Sequence, residues 1–246
     1  MANSAEVIAQ ADVKRILIDG KRVRGVAYRV GKALKEARAA RVVVAAGSIG
    51  SPQLLQASGV GSIGEGFFCD PLITVFGAAE GIRNIGEIPM TAGVHLPDEG
   101  YMMTDLPLPA ATYRLLAATA LRPDRLHAHA STLAIMVKIR DEIAGRVAGR
   151  KMRRVFGPAE REKLASGHRR ATEILRHAGA RHIFKSRITA AHPGGSVRIG
   201  EHVDANLQTE YEGLYVCDCS VIADAWGLPP VLTLVSLAKR LAKHLA

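Results

Sequence analysis

Residues 45–61 read AAGSIGSPQLLQASGVG, and the placing of glycine, proline and leucine in this stretch describes a strand running into a helix. The strand is 41–45, a short Val-rich run of the kind that is covered on both faces in a parallel sheet. Gly47 lets the backbone turn, Ser51 is placed to cap the helix, and Pro52 falls near its first turn, where a missing N–H costs little. Leu54 and Leu55 then face inward, and Ser58-Gly59 ends the helix. Working outward, Asp19-Gly20 is a turn signal between two alternating runs, 13–18 and 23–28, which predicts a β-hairpin. Toward the other end of the chain, 214–217 reads as a strand and 231–245 as an amphipathic helix. In that helix Leu234, Leu237, Ala238 and Leu241 face inward, while Lys239, Arg240 and Lys243 face water.

The middle of the chain has a different texture. Strands are expected at 72–78, 90–95, 101–106 and 132–139, separated by turn-rich pieces such as Pro97-Asp98-Glu99-Gly100, a pattern that suggests an antiparallel sheet. One helix is expected from about 158 to 177, stopped by Gly179. Its apolar positions Leu164, Ala171, Ile174, Leu175 and Ala178 recur at helical spacing. There is no internal repeat and no low-complexity tract.

Four further blocks follow the opening stretch in order: AHPGGSVRIG (191–200), VDANL (203–207), GLYVCDCSV (213–221) and GLPPVLTLVSLAKRLAKHL (227–245). Together with 45–61, these resemble the signature segments of the glucose–methanol–choline (GMC) family of FAD-dependent oxidoreductases. The match is weak between about 62 and 187, where the family is variable. The resemblance implies a mixed α/β (α+β) chain: a truncated, Rossmann-like FAD-binding domain made of 1–61 and 188–246, and an antiparallel-sheet substrate domain at 62–187. The family opens with a strand, a G-x-G-x-x-G turn and a helix, which hold the cofactor pyrophosphate on backbone amides. Here Gly59-Val60-Gly61-Ser62-Ile63-Gly64 has that spacing but follows a helix rather than a strand. The chain therefore looks like the C-terminal portion of a larger enzyme, with a separate chain as one source of the N-terminal FAD-binding half.

The resemblance also implies roles. His192 would take the proton from an alcohol or sugar CH–OH group while a hydride passes to FAD, a task suited to imidazole, whose ordinary pKa of about 6.5 lets it accept a proton near neutrality. Val13 would lie where backbone groups hold the adenine, Ala46 near the adenosine half, Asp218 and Cys219 along the flavin side, and Val231 close to the flavin ring. The start of the last helix, after Pro229-Pro230, would aim its partial positive charge at the flavin. One position departs from the family: a second His or Asn precedes that helix in most members, and Pro229 stands there in this chain. Either His192 works alone, or Asp224 or Trp226 helps, or the site differs. The other eight histidines have no such context.

Bulk properties bound the alternatives. The 246 residues carry a formal charge of +10, with 48% hydrophobic and 4% aromatic residues. No apolar run approaches the ~20 residues of a membrane-spanning helix, and the opening residues lack the basic and apolar regions of a secretory signal. Three cysteines argue against a disulfide framework. Cys217 and Cys219 alternate on an expected strand and share a face, without the further ligands a metal would need; reduced thiols in a cytoplasmic protein fit them. Residues 140–187 hold fourteen Lys/Arg against five acids, nearly all of the net charge. A solvated helix face accounts for this block better than nucleic acid, since aromatic residues are scarce there and no nucleic-acid motif appears. The alternatives to an alcohol oxidoreductase are a non-catalytic remnant or subunit that needs a partner chain, and an anion- or nucleic-acid-binding protein using the basic block.

Overall fold

The computed structural model describes residues 5–83 and 87–246. The first elements form an antiparallel meander, β1 (Asp12–Asp19), β2 (Arg22–Val30) and β3 (Ala33–Arg38). Asp19 pairs with Arg22, so Gly20-Lys21 is the two-residue hairpin loop that the Asp-Gly signal predicts.

β4 (Val42–Val44) leads into α1 (Gly47–Ala57), and β13 (Leu214–Val216) pairs with β4 in parallel. The two strands are tied by Val42 N–H to Gly213 O at 2.8 Å and Cys217 N–H to Val44 O at 2.9 Å. The expectation that the Val run is covered on both faces fails: Val44 is buried but Val43 is 43% exposed. Among the described residues the short strand pairs along one edge only, with β13, and its outer face opens on a groove. Ser51 and Pro52 lie one turn inside α1 rather than at its cap, because the helix already begins at Gly47. Ser51 nevertheless serves the helix entry, accepting the Ala46 N–H at 3.0 Å through its hydroxyl.

α4 (Val231–Leu245) closes this part of the chain. Leu237, Leu241 and Leu245 pack on a core of Ile16, Val44, Leu55, Leu214 and Val216. Ala238, expected inward, is exposed, because only a narrow stripe of α4 touches the core. Val231, Leu232 and Val235 lie on its open side, 65%, 80% and 49% exposed.

The second sheet is antiparallel throughout and is organised by one long strand, β5 (Glu65–Ala78). β6 (Gly93–Leu96), β7 (Tyr101–Asp105) and β8 (Thr132–Ile139) add to β5 in the order β6-β7-β8-β5. The beginning of β5 pairs with β9 (Gly145–Ala148), which continues to β10 (Lys151–Arg153). β11 (Arg181–Lys185) and β12 (Thr189–Gly194) also pair with β5. Two helices cover this sheet: α2 (Ala110–Thr119), which packs Tyr113 and Ala117 on Phe76 and Phe184, and α3 (Pro158–His177). α3 has the bounds its periodicity predicts and lays Leu164, Ala171 and Leu175 on Ile73, Val75 and Val137. Ile174, on the same apolar list, is turned outward and 45% exposed.

Alternation along β5 fixes what faces what. Ile73 and Val75 point to α3, so Asp70, Leu72 and Thr74 point to the opposite face. Lys138 is directly opposite Leu72 in the β5–β8 register and shares that second face. β12 brings residues 189–194 to the same strand: Ala191 pairs with Asp70.

Candidate active site

His192 lies where β12 breaks its register with β5, between Ala191 and Gly194. Its φ of +48° is in the left-handed region, rare for a residue with a Cβ. Such a bulge re-aims a side chain, and the surrounding polar bonds hold it. The Ser48 hydroxyl donates to Pro193 O at 2.5 Å, and the Ser196 hydroxyl to Ser48 O at 2.7 Å. The loop is thereby strapped to the first turn of α1.

The imidazole meets two charged residues that the sequence reading did not single out. His192 Nδ1 is 3.1 Å from Asp70 Oδ2 and 3.3 Å from Lys138 Nζ, and Lys138 Nζ is 3.4 Å from Asp70 Oδ2. Asp70 and Lys138 are each 1% exposed. Burial pushes the Lys138 ammonium below the ordinary lysine range, with the Asp70 charge and hydrogen bond pulling the other way. Asp70 Oδ1 has no hydrogen-bond partner among the described residues. Beside this cluster is a narrow pocket of only about 10 Å³, lined by Phe68, Asp70, His192, Cys219, Ile222, Trp226, Leu228 and Pro230. It is apolar except at the end where Asp70 and His192 stand. Only the alternation of β5 and β8 could have pointed to Asp70 and Lys138, as charges on positions that face inward.

The other candidate residues fall into two places. Val13 and Ala46 line one open groove, together with Val42–Val44, Gly50, Gln53 and Leu54. The groove follows the outer face of β4 to its carboxyl end, where Ala45, Ala46 and Ile49 are exposed. Cys219 is in the pocket with His192. Asp218 links the two places, but its carboxylate is already engaged. Oδ2 accepts the Gly47 N–H at 3.0 Å and the Ser51 hydroxyl, and Oδ1 accepts the Ser220 N–H at 2.8 Å. Its side chain therefore braces the α1 entry, where a negative charge is favoured, and only its backbone remains for a ligand. Val231 projects into solvent at the start of α4 and does not line the pocket.

Pro230, the residue before α4, is buried and lines the pocket, whereas Pro229 is exposed. Of the helpers considered for His192, Trp226 lines the pocket and donates its indole N–H to Leu228 O at 3.1 Å. Asp224 is turned outward in an ion pair with Arg140. Other histidines have structural partners: His129 Nε2 contacts Leu108 O at 2.6 Å and His202 Nε2 contacts Ser62 O at 2.8 Å.

Cys217 and Cys219 do not share a strand face, because β13 ends at Val216. Cys217 packs on the α4 core and Cys219 on the Phe68–Ile222 cluster. Burial pushes the Cys219 thiol up to about 11. Among the described residues no cluster of His, Cys, Asp and Glu could hold a metal ion, and no helix is long and apolar enough to cross a membrane. Most of the basic block is solvated as expected, but Arg154 is buried between Asp141 and Glu160.

β4 and β13 run parallel, with the open groove at the carboxyl end of β4 and the His192 pocket reached by the chain after β13, and carboxyl ends of parallel strands are where α/β proteins bind ligands. The comparisons with known proteins agree with that architecture. Residues 1–73 match the N-terminal model and residues 119–238 the C-terminal model of the GMC oxidoreductases. The chain belongs to the GMC oxidoreductase family, whose members are FAD-binding flavoproteins. It is 28% identical over 213 residues to an uncharacterised protein of Methanocaldococcus jannaschii, covering 86% of this chain and 54% of that protein. It is 25% identical over 319 residues to a long-chain-alcohol oxidase of Arabidopsis thaliana, covering 99% of this chain and 42% of the oxidase. Pyridoxine 4-oxidase from Mesorbium loti has the same fold, with a TM-score of 0.70 and 19% identity, covering 95% of this chain and 57% of that one. The chain thus spans about half the length of these relatives.

The residues present suit FAD at two points. The exposed small and apolar floor of Val13, Val43, Ala45 and Ala46 suits a flat ring, and the His192 pocket suits the reacting end. No G-x-G-x-x-G turn between a strand and a helix is present in the sequence; Gly64 of the look-alike segment follows α1 and donates its N–H to Ser196 O.

Proposed function

We propose that this chain carries the substrate-side machinery of an FAD-dependent oxidoreductase acting on the CH–OH group of a small alcohol or sugar, with His192 as the base. The observation that carries this reading is the His192 imidazole at the single polar end of an otherwise apolar pocket. Among the described residues its Nε2 has no hydrogen-bond partner, so one ring nitrogen is left to meet a hydroxyl. When bound, FAD supplies the hydride acceptor. His192 accepts the hydroxyl proton as the C–H bond breaks, and the apolar wall of Phe68, Ile222 and Leu228 excludes water from the reacting carbon.

In this reading Val13 and Ala46 hold the adenosine part, the backbone of Asp218 and Cys219 follows the flavin part, and Val231 lies near the flavin ring. Residues 1–61 and 188–246 make up the partial FAD-binding domain and 62–187 the substrate domain. The pyrophosphate cradle comes from a G-x-G-x-x-G half outside these 246 residues, whether in a longer form of the same polypeptide or on a separate chain. The reduced thiols fit a cytoplasmic setting.

The test is flavin content. The chain is purified and its absorption recorded between about 350 and 500 nm, with and without added FAD, and with a co-expressed G-x-G-x-x-G half. Bound flavin and alcohol-dependent bleaching, both abolished or slowed in His192→Ala, support the reading. A protein that takes up no flavin in any of these forms rejects it.

A further inference from the structure

The geometry points to Asp70 and Lys138 as positioning residues that fix the tautomer of His192. Asp70 accepts the Nδ1–H proton, leaving the Nε2 lone pair free on the ring's other side, and Lys138 keeps Asp70 in its ionised, accepting form. The proposal rests on the reading of His192 as a base for its catalytic consequence, but the tautomer itself is a property of the chain alone.

Two arrangements of the proton are open to a neutral imidazole here. With the proton on Nε2, Nδ1 would accept from Lys138, and two bare acceptors, Nδ1 and Asp70 Oδ2, would face each other at 3.1 Å. With the proton on Nδ1, that same short contact becomes a hydrogen bond to a carboxylate, among the stronger kinds. Lys138 then gives up Nδ1 as an acceptor at 3.3 Å, but it keeps the charge-assisted partner Asp70 Oδ2, 3.4 Å away, toward which its hydrogens can rotate. The second arrangement leaves no opposed lone pairs.

Lys138 matters because the carboxylate is deep. A buried carboxyl without a nearby cation favours its neutral form. A neutral Asp70 would donate to Nδ1 and drive the imidazole proton onto Nε2, the nitrogen required as base. The two charges reach the histidine from different strands, Asp70 from β5 and Lys138 from β8, on the face away from α3. They are thus held by the sheet rather than by the loop that carries His192. Asp70 Oδ1 is buried and without a partner among the described residues, and Oδ2 is the oxygen shared by both neighbours.

The experiment is long-range proton–nitrogen correlation NMR on the histidine-labelled full chain without cofactor. It is run at about pH 8.5, where ordinary imidazoles are neutral, and His192→Gln identifies the His192 signals. The Nδ1–H tautomer is expected as the major form in the wild-type chain. Asp70→Asn should make it the minor form, and Lys138→Met should move it in the same direction. A wild-type chain with Nε2–H as the major form overturns the proposal, and so does an Asp70→Asn chain that folds and keeps Nδ1–H. The wild-type spectrum decides even if neither variant folds. A chain that shows Nδ1–H but never takes up flavin would leave this inference standing and remove the functional reading; an active enzyme with Nε2–H would do the reverse.

Discussion

Gly194 lies against the ring of Phe68: a Cβ at position 194 would stand 2.2 Å from Cζ and 2.6 Å from Cε2. The next residue, Gly195, has φ +77°, and a Cβ there would be 2.4 Å from the Gly66 carbonyl oxygen. The two glycines therefore let the backbone just after His192 pass over β5 at a distance no side chain permits. Gly194→Ala should cost about 1–3 kcal/mol, as overpacking does. Gly195→Ala should cost more, since a backbone oxygen cannot turn aside. Urea unfolding of the three proteins measures both; equal midpoints would mean the loop is not packed as described.

The backbone of His192 predicts an inversion of the usual glycine penalty. A left-handed residue with a Cβ costs roughly 1–2 kcal/mol, so His192→Gly should be the more stable of two truncations, ahead of His192→Ala by about 1 kcal/mol. Both should lose alcohol oxidation in the flavin-loaded enzyme. A His192→Ala chain that melts higher than His192→Gly would count against the φ of +48°.

Arg154 holds two buried carboxylates at once. It is 5% exposed between Asp141 and Glu160, and Asp141 Oδ2 also accepts the Cys69 N–H at 2.7 Å. Arg154→Leu leaves both acids unpaired and should cost about 3–5 kcal/mol. Desolvation already raises the Glu160 carboxyl above its ordinary range. Removing the guanidinium raises it further, so the folded variant binds protons the unfolded chain has released. Its stability deficit should therefore shrink as pH falls below neutrality. A deficit that stays constant from pH 7 to about pH 4 would show that lost packing, not charge, is the cause.

Legibility in the sequence followed the range of the signal. α3 and α4 have the bounds their periodicity predicts, and Asp19-Gly20 makes its hairpin, because caps, turns and helical stripes are written within a few residues. α2 has no such local signal: its AATYRLLAAT run lacks an acidic first turn, and only Tyr113 and Ala117 in it are fully buried. β11 and β12 escaped for another reason. They pair with β5 across more than a hundred positions of chain, which no local pattern records. His192 was legible from its motif, whereas Asp70 and Lys138 were not, since a lone acid and a lone lysine in apolar runs look alike whether they pair or not.

The buried thiols give the alkaline limit a definite sign. Burial raises Cys69 to about 12 and Cys219 to about 11, against an ordinary value of 9.0. Between about pH 9 and these values the unfolded chain has lost thiol protons that the folded chain keeps. Stability is then full below pH 9 and falls as pH rises, by up to about 1.4 kcal/mol per pH unit for each thiol. Cys69→Ala should flatten that fall when unfolding midpoints are followed from about pH 8 to pH 11. Parallel curves for the two proteins would contradict it.

The distance along the chain between Asp70 and His192, 122 residues, also sets a schedule for synthesis. At ribosomal rates of about 5–20 residues per second, Asp70 waits roughly 6–24 s before its imidazole partner is made. Throughout that interval β5 has emerged without β12, with an unpaired edge and a carboxylate that nothing yet shields. The His192–Asp70 contact forms only once β12 has been made, and until then the open edge of β5 is a place where the growing chain can pair with others.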